Sequence, residues 1–354
     1  MNQVAPPKKR IEYIDLMKGF CIILVILMHC HVSFPIEKLN IMLSYFRMPL
    51  YFFLSGLFFK EYSCFTDFFT RKFCKLVIPY LFFCIFPYII ADSIAYNHSG
   101  IKSFFMMFIL PYNLPLWFLR SLFLTYLLYY LFYKITKGNK YILGVAILVI
   151  SSIFGYLIVG QHIDRSQSYL LKLCFDTNIF VSILVLPFFY AAFLIKPILQ
   201  KLTNKEKSYK MVFTVFVTSA LIWYFASTST KLCSLYDNNF GDNYFTFLFA
   251  ALGGIGCLWS IAYTLNKVFY ISYVGRYSLI ALGTHYCLCI LMFDSKIEPL
   301  MMTVPIFVLM PCFIYLFKKY FPYFTAQKDI FIYVPEESKI KLAPAFVGLF
   351  KRKK

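Results

Sequence analysis

Residues 10–32 read RIEYIDLMKGFCIILVILMHCHV. A charged head (Arg10, Glu12, Asp15, Lys18) runs into an apolar stretch from Phe20 to Met28 that ends on His29, and no proline follows until Pro35. The pattern predicts a membrane helix over 14–33. Such a helix carries a cation at one mouth and a titratable imidazole well inside. Ionisable groups within a bilayer are costly and usually functional.

The chain has 354 residues, of which 60% are hydrophobic and only 14% charged. Soluble domains carry about a quarter charged residues. The 43 Phe and 29 Tyr exceed what a soluble core of this size hides, whereas a bilayer with its aromatic belts accommodates them. The expected fold class is therefore all-α, a polytopic transmembrane helix bundle. Apolar runs near spanning length fall at 14–33, 43–59, 75–95, 115–133, 141–160, 178–196, 210–227, 244–265, 277–293 and 300–318, giving about ten helices. The stretch 100–111 is too short to span and reads as interfacial or re-entrant.

The net charge of +19 does not indicate nucleic acid, because no basic face with interleaved aromatics forms a soluble module. Most of the cations fall at the N-terminus, in alternate loops and in the tail. The opposite loops hold only Lys38, Lys102, Arg165, Lys172, Lys231 and Lys296. By the positive-inside rule both termini are cytoplasmic, and the basic segments favour anionic membrane lipids. Residues 1–319 read as one membrane-embedded domain and 320–354 as a short basic cytoplasmic tail. The N-terminus resembles a signal peptide, but no small-x-small cleavage site follows His29-Cys30-His31, so an uncleaved first helix is expected.

The eleven cysteines include no C-x-x-C pair and read as packing residues. No metal-ligand set, phosphate-loop glycine pattern or Gly-x-Ser-x-Gly elbow is present. This disfavours an ATP-driven pump and an ordinary serine esterase.

On a helix rising 1.5 Å per residue, Lys18 and His29 stand roughly 16 Å apart along the axis. Eleven steps of about 100° return to nearly the same face. Two readings follow. Lys18 is a positive-inside flank and His29 a packed core histidine, or the two address one long anionic molecule with its head at Lys18 and its far end at His29. Coenzyme A has that shape. Arg47 and Arg120, near the outer ends of their helices, either snorkel outward or bind an acceptor sugar, a carboxylate or pyrophosphate, or a developing oxyanion. Trp117 reads as an interface anchor, Ser55-Gly56 as a close-packing pair. His285 either packs or faces the cavity of His29. His31, His98 and His162 receive no role, and Asp92 pairs with water or arginine.

The first helix resembles the acyltransferase-3 family of integral membrane acyltransferases, whose signature is a basic residue, ten intervening residues and a catalytic histidine, here Lys18 and His29. Asp15, one turn before Lys18, also matches and is placed to orient it. Arginine is commoner at the Lys18 position, and lysine lacks its bidentate fork. Further similarities follow in order: FRMPLYFFLSG (46–56), RKFCKLVIPY (71–80), LWFLRSLF (116–123) and VGRYSLIALGTH (274–285). The resemblance implies that His29 is the catalytic base, that Lys18, Arg71, Lys72 and Lys75 grip the phosphates of acetyl-CoA as acyl donor, and that Arg47, Arg120 and His285 lie on the acceptor or oxyanion side. Asp15, Ser55, Gly56 and Trp117 are then structural supports. The implied activity is O-acetylation of a surface glycan or its lipid-linked precursor by a protein of a bacterial cytoplasmic membrane. A covalent acyl-histidine, acyl transfer to another acceptor, and a transporter or flippase for a lipid-linked sugar or small anion remain the alternatives.

Overall fold

A computed structural model describes residues 10–32, 34–94, 114–163, 166–203, 208–227, 231–293, 298–337 and 339–351. The stretch 100–111 and His98 lie outside the described residues, as do the last three cations. The chain is mostly helical. It runs through α1 (Glu12–His29), α2 (Glu37–Leu57), α3 (Phe65–Lys72), a π turn (Phe73–Val77), α4 (Ile78–Ile94), α5 (Trp117–Ile135) and α6 (Lys140–Val159). It continues through α7 (Tyr169–Asp176), α8 (Ile179–Leu184), α9 (Leu186–Thr203), α10 (Tyr209–Ala226), α11 (Tyr244–Leu265), α12 (Phe269–Arg276), α13 (Ser278–Phe293) and α14 (Pro299–Tyr320).

A helix lies over each of the ten apolar stretches. Among the described residues, five meet the length and composition needed to cross a membrane: Lys140–Val159, Ile179–Leu202, Tyr209–Ala226, Tyr244–Leu265 and Pro299–Tyr320. The others differ for local reasons. The first carries Glu12, Asp15 and Lys18 within its length. The third reaches its apolar part only after a π turn, which sits just before Pro79, a residue with no N–H for the α ladder. The ninth is short: α13 begins only at Ser278, after a break at Tyr277 that separates it from α12.

The faces of the helices explain their apolarity. Within the bundle, Tyr45, Phe52, Phe83, Phe188, Phe189 and Phe247 are fully buried. On the outside, α6 exposes Ile142, Val145, Val149 and Ile153, and α10 exposes Phe213, Leu221, Ile222 and Phe225. A water-facing surface does not carry contiguous apolar bands of that size; lipid does.

The fold is not wholly helical. Strands β1 (Phe331–Val334) and β2 (Lys339–Leu342) pair antiparallel, Phe331 opposite Leu342, and α15 (Pro344–Lys351) follows. This hairpin folds back onto α3 and the π turn. Cys74 is buried with Tyr323 and Ile330, and its thiol donates to the Phe331 carbonyl at 3.5 Å. Packing thus continues past Tyr320, where the last long helix ends.

α1 is the hub that positions the site. It packs against α2, α11, α12 and α13. The approach to α12 is close because both helices offer a glycine. A Cβ on Gly19 would overlap the Ile271 carbonyl, and one on Gly275 would overlap the Asp15 carbonyl.

Candidate active site

His29 is the last residue of α1. The chain then reverses through His31, which takes the left-handed conformation at φ 57°. The Val32 N–H donates to the Leu27 carbonyl and the His31 N–H to that of Met28, both at 3.0 Å. This hydrogen-bonded cap ends the helix four residues short of the boundary expected from apolarity, and leaves His29 half-buried in its last turn.

α13 brings His285 against it. The ring centroids are 5.3 Å apart at 48°, and the Tyr286 ring stands edge-on to His29 at 5.1 Å. His285 is fully buried, with Nδ1 2.9 Å from the Ala281 carbonyl. A carbonyl accepts only, so Nδ1 carries the proton and Nε2 presents a lone pair. That Nε2 is buried and has no hydrogen-bond partner among the described residues. Leaving such an acceptor unsatisfied costs about 1–3 kcal/mol, a cost that a bound donor or a protonated His29 would remove.

Arg47 borders the same space. The Cys21 thiol donates to the Arg47 carbonyl at 2.7 Å, which sets α2 against α1 two turns below His29. Side chains lean toward the N-terminus of their helix, and α2 runs opposite to α1, so the guanidinium leans toward the level of His29 and lies within electrostatic range of it. Among the described residues no hydrogen bond or ion pair engages that guanidinium. Arg120 differs. It turns inward and donates to the Asp176 carbonyl and to Asn178 Oδ1, each at 2.8 Å, bracing the corner between α7 and α8.

The four cations expected at the donor head separate into two kinds. Lys18 Nζ lies 4.9 Å over the Phe58 ring, and Lys72 Nζ lies 3.5 Å over the Tyr126 ring. Neither has a carboxylate partner among the described residues. Both are held by aromatic faces and are not consumed by an ion pair among the described residues. The exposed Arg71 instead pairs with the buried Asp67 at 2.5 Å, and Lys75 pairs with Asp329 at 2.9 Å and donates to the Ala326 carbonyl at 2.8 Å. Lys75 therefore pins the C-terminal segment to the bundle. Asp15 is likewise redirected. Its carboxylate pairs with Arg10 at 2.5 Å and lies 3.6 Å from Arg276, rather than orienting Lys18.

Ser55 and Gly56 fall close to Lys18 and Lys72, whereas Trp117 does not. Tyr126 donates to the Ser55 carbonyl at 2.9 Å, and Tyr51 to the Lys18 carbonyl at 3.1 Å. A Cβ on Gly56 would overlap the Phe189 carbonyl, so α2 and α9 meet there. Trp117 is buried against Phe118 and Tyr236 instead of standing at a lipid interface. Sequence reading passed over Arg276, which bonds Glu12 at 3.1 Å across the α1–α12 contact, and Tyr126 and Tyr286. The only local signal for these was their adjacency to quoted motifs.

Among the described residues, two ammonium groups without a carboxylate partner lie toward the N-terminal end of α1, and two imidazoles and a guanidinium lie toward its C-terminal end. The chain matches the Acyl_transf_3 family model, described as an acyltransferase domain, over residues 11–334. No curated protein and no solved structure matches it.

Proposed function

This chain belongs to the acyltransferase-3 family of membrane acyltransferases, and we propose that it transfers an acetyl group from cytoplasmic acetyl-CoA to a hydroxyl of a surface glycan or its lipid-linked precursor. The proposal includes a ten-span arrangement in a bacterial cytoplasmic membrane with both termini inside. The observation that carries it is the juxtaposition of His29 with His285 at the end of a helix stripe that starts at Lys18, roughly 16 Å away.

The donor's phosphates rest at Lys18 and Lys72, and its thioester extends along α1. His29 takes the proton from the acceptor hydroxyl as that oxygen bonds to the thioester carbonyl carbon. The resulting imidazolium donates to the free lone pair on His285 Nε2. Arg47 faces the oxyanion of the tetrahedral intermediate. Collapse breaks the carbon–sulfur bond, and the leaving thiolate recovers the proton from His29. Atoms and charge balance without a covalent enzyme intermediate. Arg120, engaged by Asp176 and Asn178, shapes the outer wall.

Mass spectrometry of surface glycans from cells expressing the intact chain or His29→Ala tests this. We expect acetyl esters only with the intact chain at matched protein level. Equal acetylation with His29→Ala would remove His29 from the mechanism, and no glycan acylation in either strain would overturn the acceptor assignment.

A further inference from the structure

A cavity of about 450 Å³ opens at the cytoplasmic end, away from His29, between the α2–α3 turn and the α5–α6 turn. It is lined by Glu61, Tyr62, Tyr130, Tyr133, Lys134 and Lys137, together with Phe59 and Gly138. Its walls are set. Tyr130 stacks on Phe68 at 4.3 Å and 10°. Tyr133 donates to Glu61 at 2.5 Å. The far turn takes left-handed conformations at Lys137 and at Gly138 (φ 72°), where a Cβ would press on the Tyr133 hydroxyl at 3.1 Å. The cavity also reaches toward the donor path, because the Tyr62 ring lies between Lys60 Nζ at 5.7 Å and Lys72 Nζ at 5.9 Å.

We propose that this cavity takes the nucleotide end of the acyl donor, a purine nucleotide bearing phosphates. The inference rests on the acyl-CoA reading above and extends it. The half-buried Tyr133 ring suits a planar base, while Tyr130 is covered by Phe68 and has Lys134 Nζ 5.5 Å over its ring. Lys134 and Lys137 suit a terminal phosphate, and Lys60 and Lys72 lie on the way from the cavity toward Lys18. Glu61 gives the set its selectivity. A carboxylate repels a bare phosphate but accepts from an exocyclic amine or a ribose hydroxyl. A phosphate-bearing lipid headgroup uses the lysines and has no use for the tyrosine faces. The cavity volume is that of a small-ligand site. It also supplies the anchoring that Arg71 and Lys75, paired within the protein, do not.

The test uses the full chain in phosphatidylcholine nanodiscs and the double variant Lys134→Glu/Lys137→Glu, whose side chains are exposed. Transfer is measured from acetyl-CoA and from S-acetyl-pantetheine, which lacks the nucleotide, and binding of adenosine 3′,5′-bisphosphate is measured directly. We expect the KM for acetyl-CoA to rise at least tenfold with kcat nearly unchanged, kinetics with S-acetyl-pantetheine to stay as in the parent, and the bisphosphate to lose affinity. Parent-like KM for acetyl-CoA, or equal losses with both donors, would overturn the cavity assignment while leaving the donor reading intact. Loss of bisphosphate binding by the variant of a chain that turns over no acetyl-CoA would support a nucleotide site and overturn the donor reading. Bisphosphate binding unaffected by the substitutions, with phosphatidylglycerol vesicles bound by the parent alone, would assign the lysines to lipid and overturn the proposal.

Discussion

Replacing Gly275 by alanine asks whether the separation of α1 and α12 places His29. A Cβ at Gly275 would stand 2.5 Å from the Gly19 nitrogen and 2.9 Å from the Gly19 Cα, besides overlapping the Asp15 carbonyl. Ordinary Cβ contacts begin at 3.4 Å. All three obstacles are backbone, so no side chain can swing aside, and the helices must separate by about 1 Å. Overpacking of this kind costs about 1–3 kcal/mol of stability. The displacement also stretches the contacts of Arg276 with Glu12 and Asp15 at the same crossing. α1 is a continuous helix from Glu12 to His29, so a shift near its N-terminal end is carried to the imidazole. Misplacing a reacting group by about 1 Å costs on the order of 100-fold in rate. The assay is thermal unfolding of the nanodisc-embedded protein together with acetyl transfer. Gly348→Ala serves as the control, because a Cβ there meets nothing within 4 Å. We expect Gly275→Ala to lower Tm and slow transfer between roughly 10- and 100-fold, and Gly348→Ala to change neither. A Gly275→Ala protein with parental Tm and parental rate would refute the close α1–α12 contact and the argument built on it.

Two further outcomes follow from the inner mouth and the site. Burial, with the charge of Lys60 adding to it, pushes the Lys72 ammonium down to about 7. Donor phosphates need it charged, so the benefit is full below pH 7 and fades as pH rises through that value. The KM for acetyl-CoA should then climb up to tenfold per pH unit above 7, where a phosphate monoester is already dianionic, and Lys72→Arg should flatten the profile; an unchanged slope in that variant would exclude Lys72 from the donor site. Near the imidazoles, Cys30 and Cys289 are buried with their sulfurs 3.6 Å apart. Diamide should convert this pair to an intramolecular disulfide, losing two hydrogens to the diazene reagent, and peptide mass spectrometry should find the 30–289 link; its absence after oxidation in denaturant-free nanodiscs would contradict the packing of α1 on α13.

Much of the framework was legible in the sequence because it depends on short-range regularities. Length and apolarity mark the helical stretches, since a bilayer tolerates only backbone that satisfies its own hydrogen bonds. The eleven-residue interval places Lys18 and His29 on one stripe through helix geometry alone. Helix ends were less legible. α1 stops at His29 because His31 adopts a left-handed cap, and the 178–196 stretch breaks at Val185 into α8 and α9. Neither feature shows in hydropathy.

The roles of individual charges were the least legible part. Lys72 and Lys75 are three residues apart and equivalent by the positive-inside rule, yet one lies on Tyr126 and the other is bound to Asp329. Asp15 and Lys18 look like partners by spacing, but Arg276 comes from 261 positions further along the chain to share that carboxylate. His285 meets His29 only because α13 packs beside α1.

By itself, then, the sequence determined a helical membrane chain of the acyltransferase type, its charge asymmetry, and a lysine and histidine aligned on the first helix. The membrane helices and the charge asymmetry follow from composition, the alignment from a helical period carried over about three turns, and the acyltransferase type from the resemblance of the ordered motifs to that family. Tertiary structure alone decided which charges remain free for a ligand, what faces His29, and where the inner cavity lies. Those depend on contacts between residues hundreds of positions apart, and local periodicity carries no information about them.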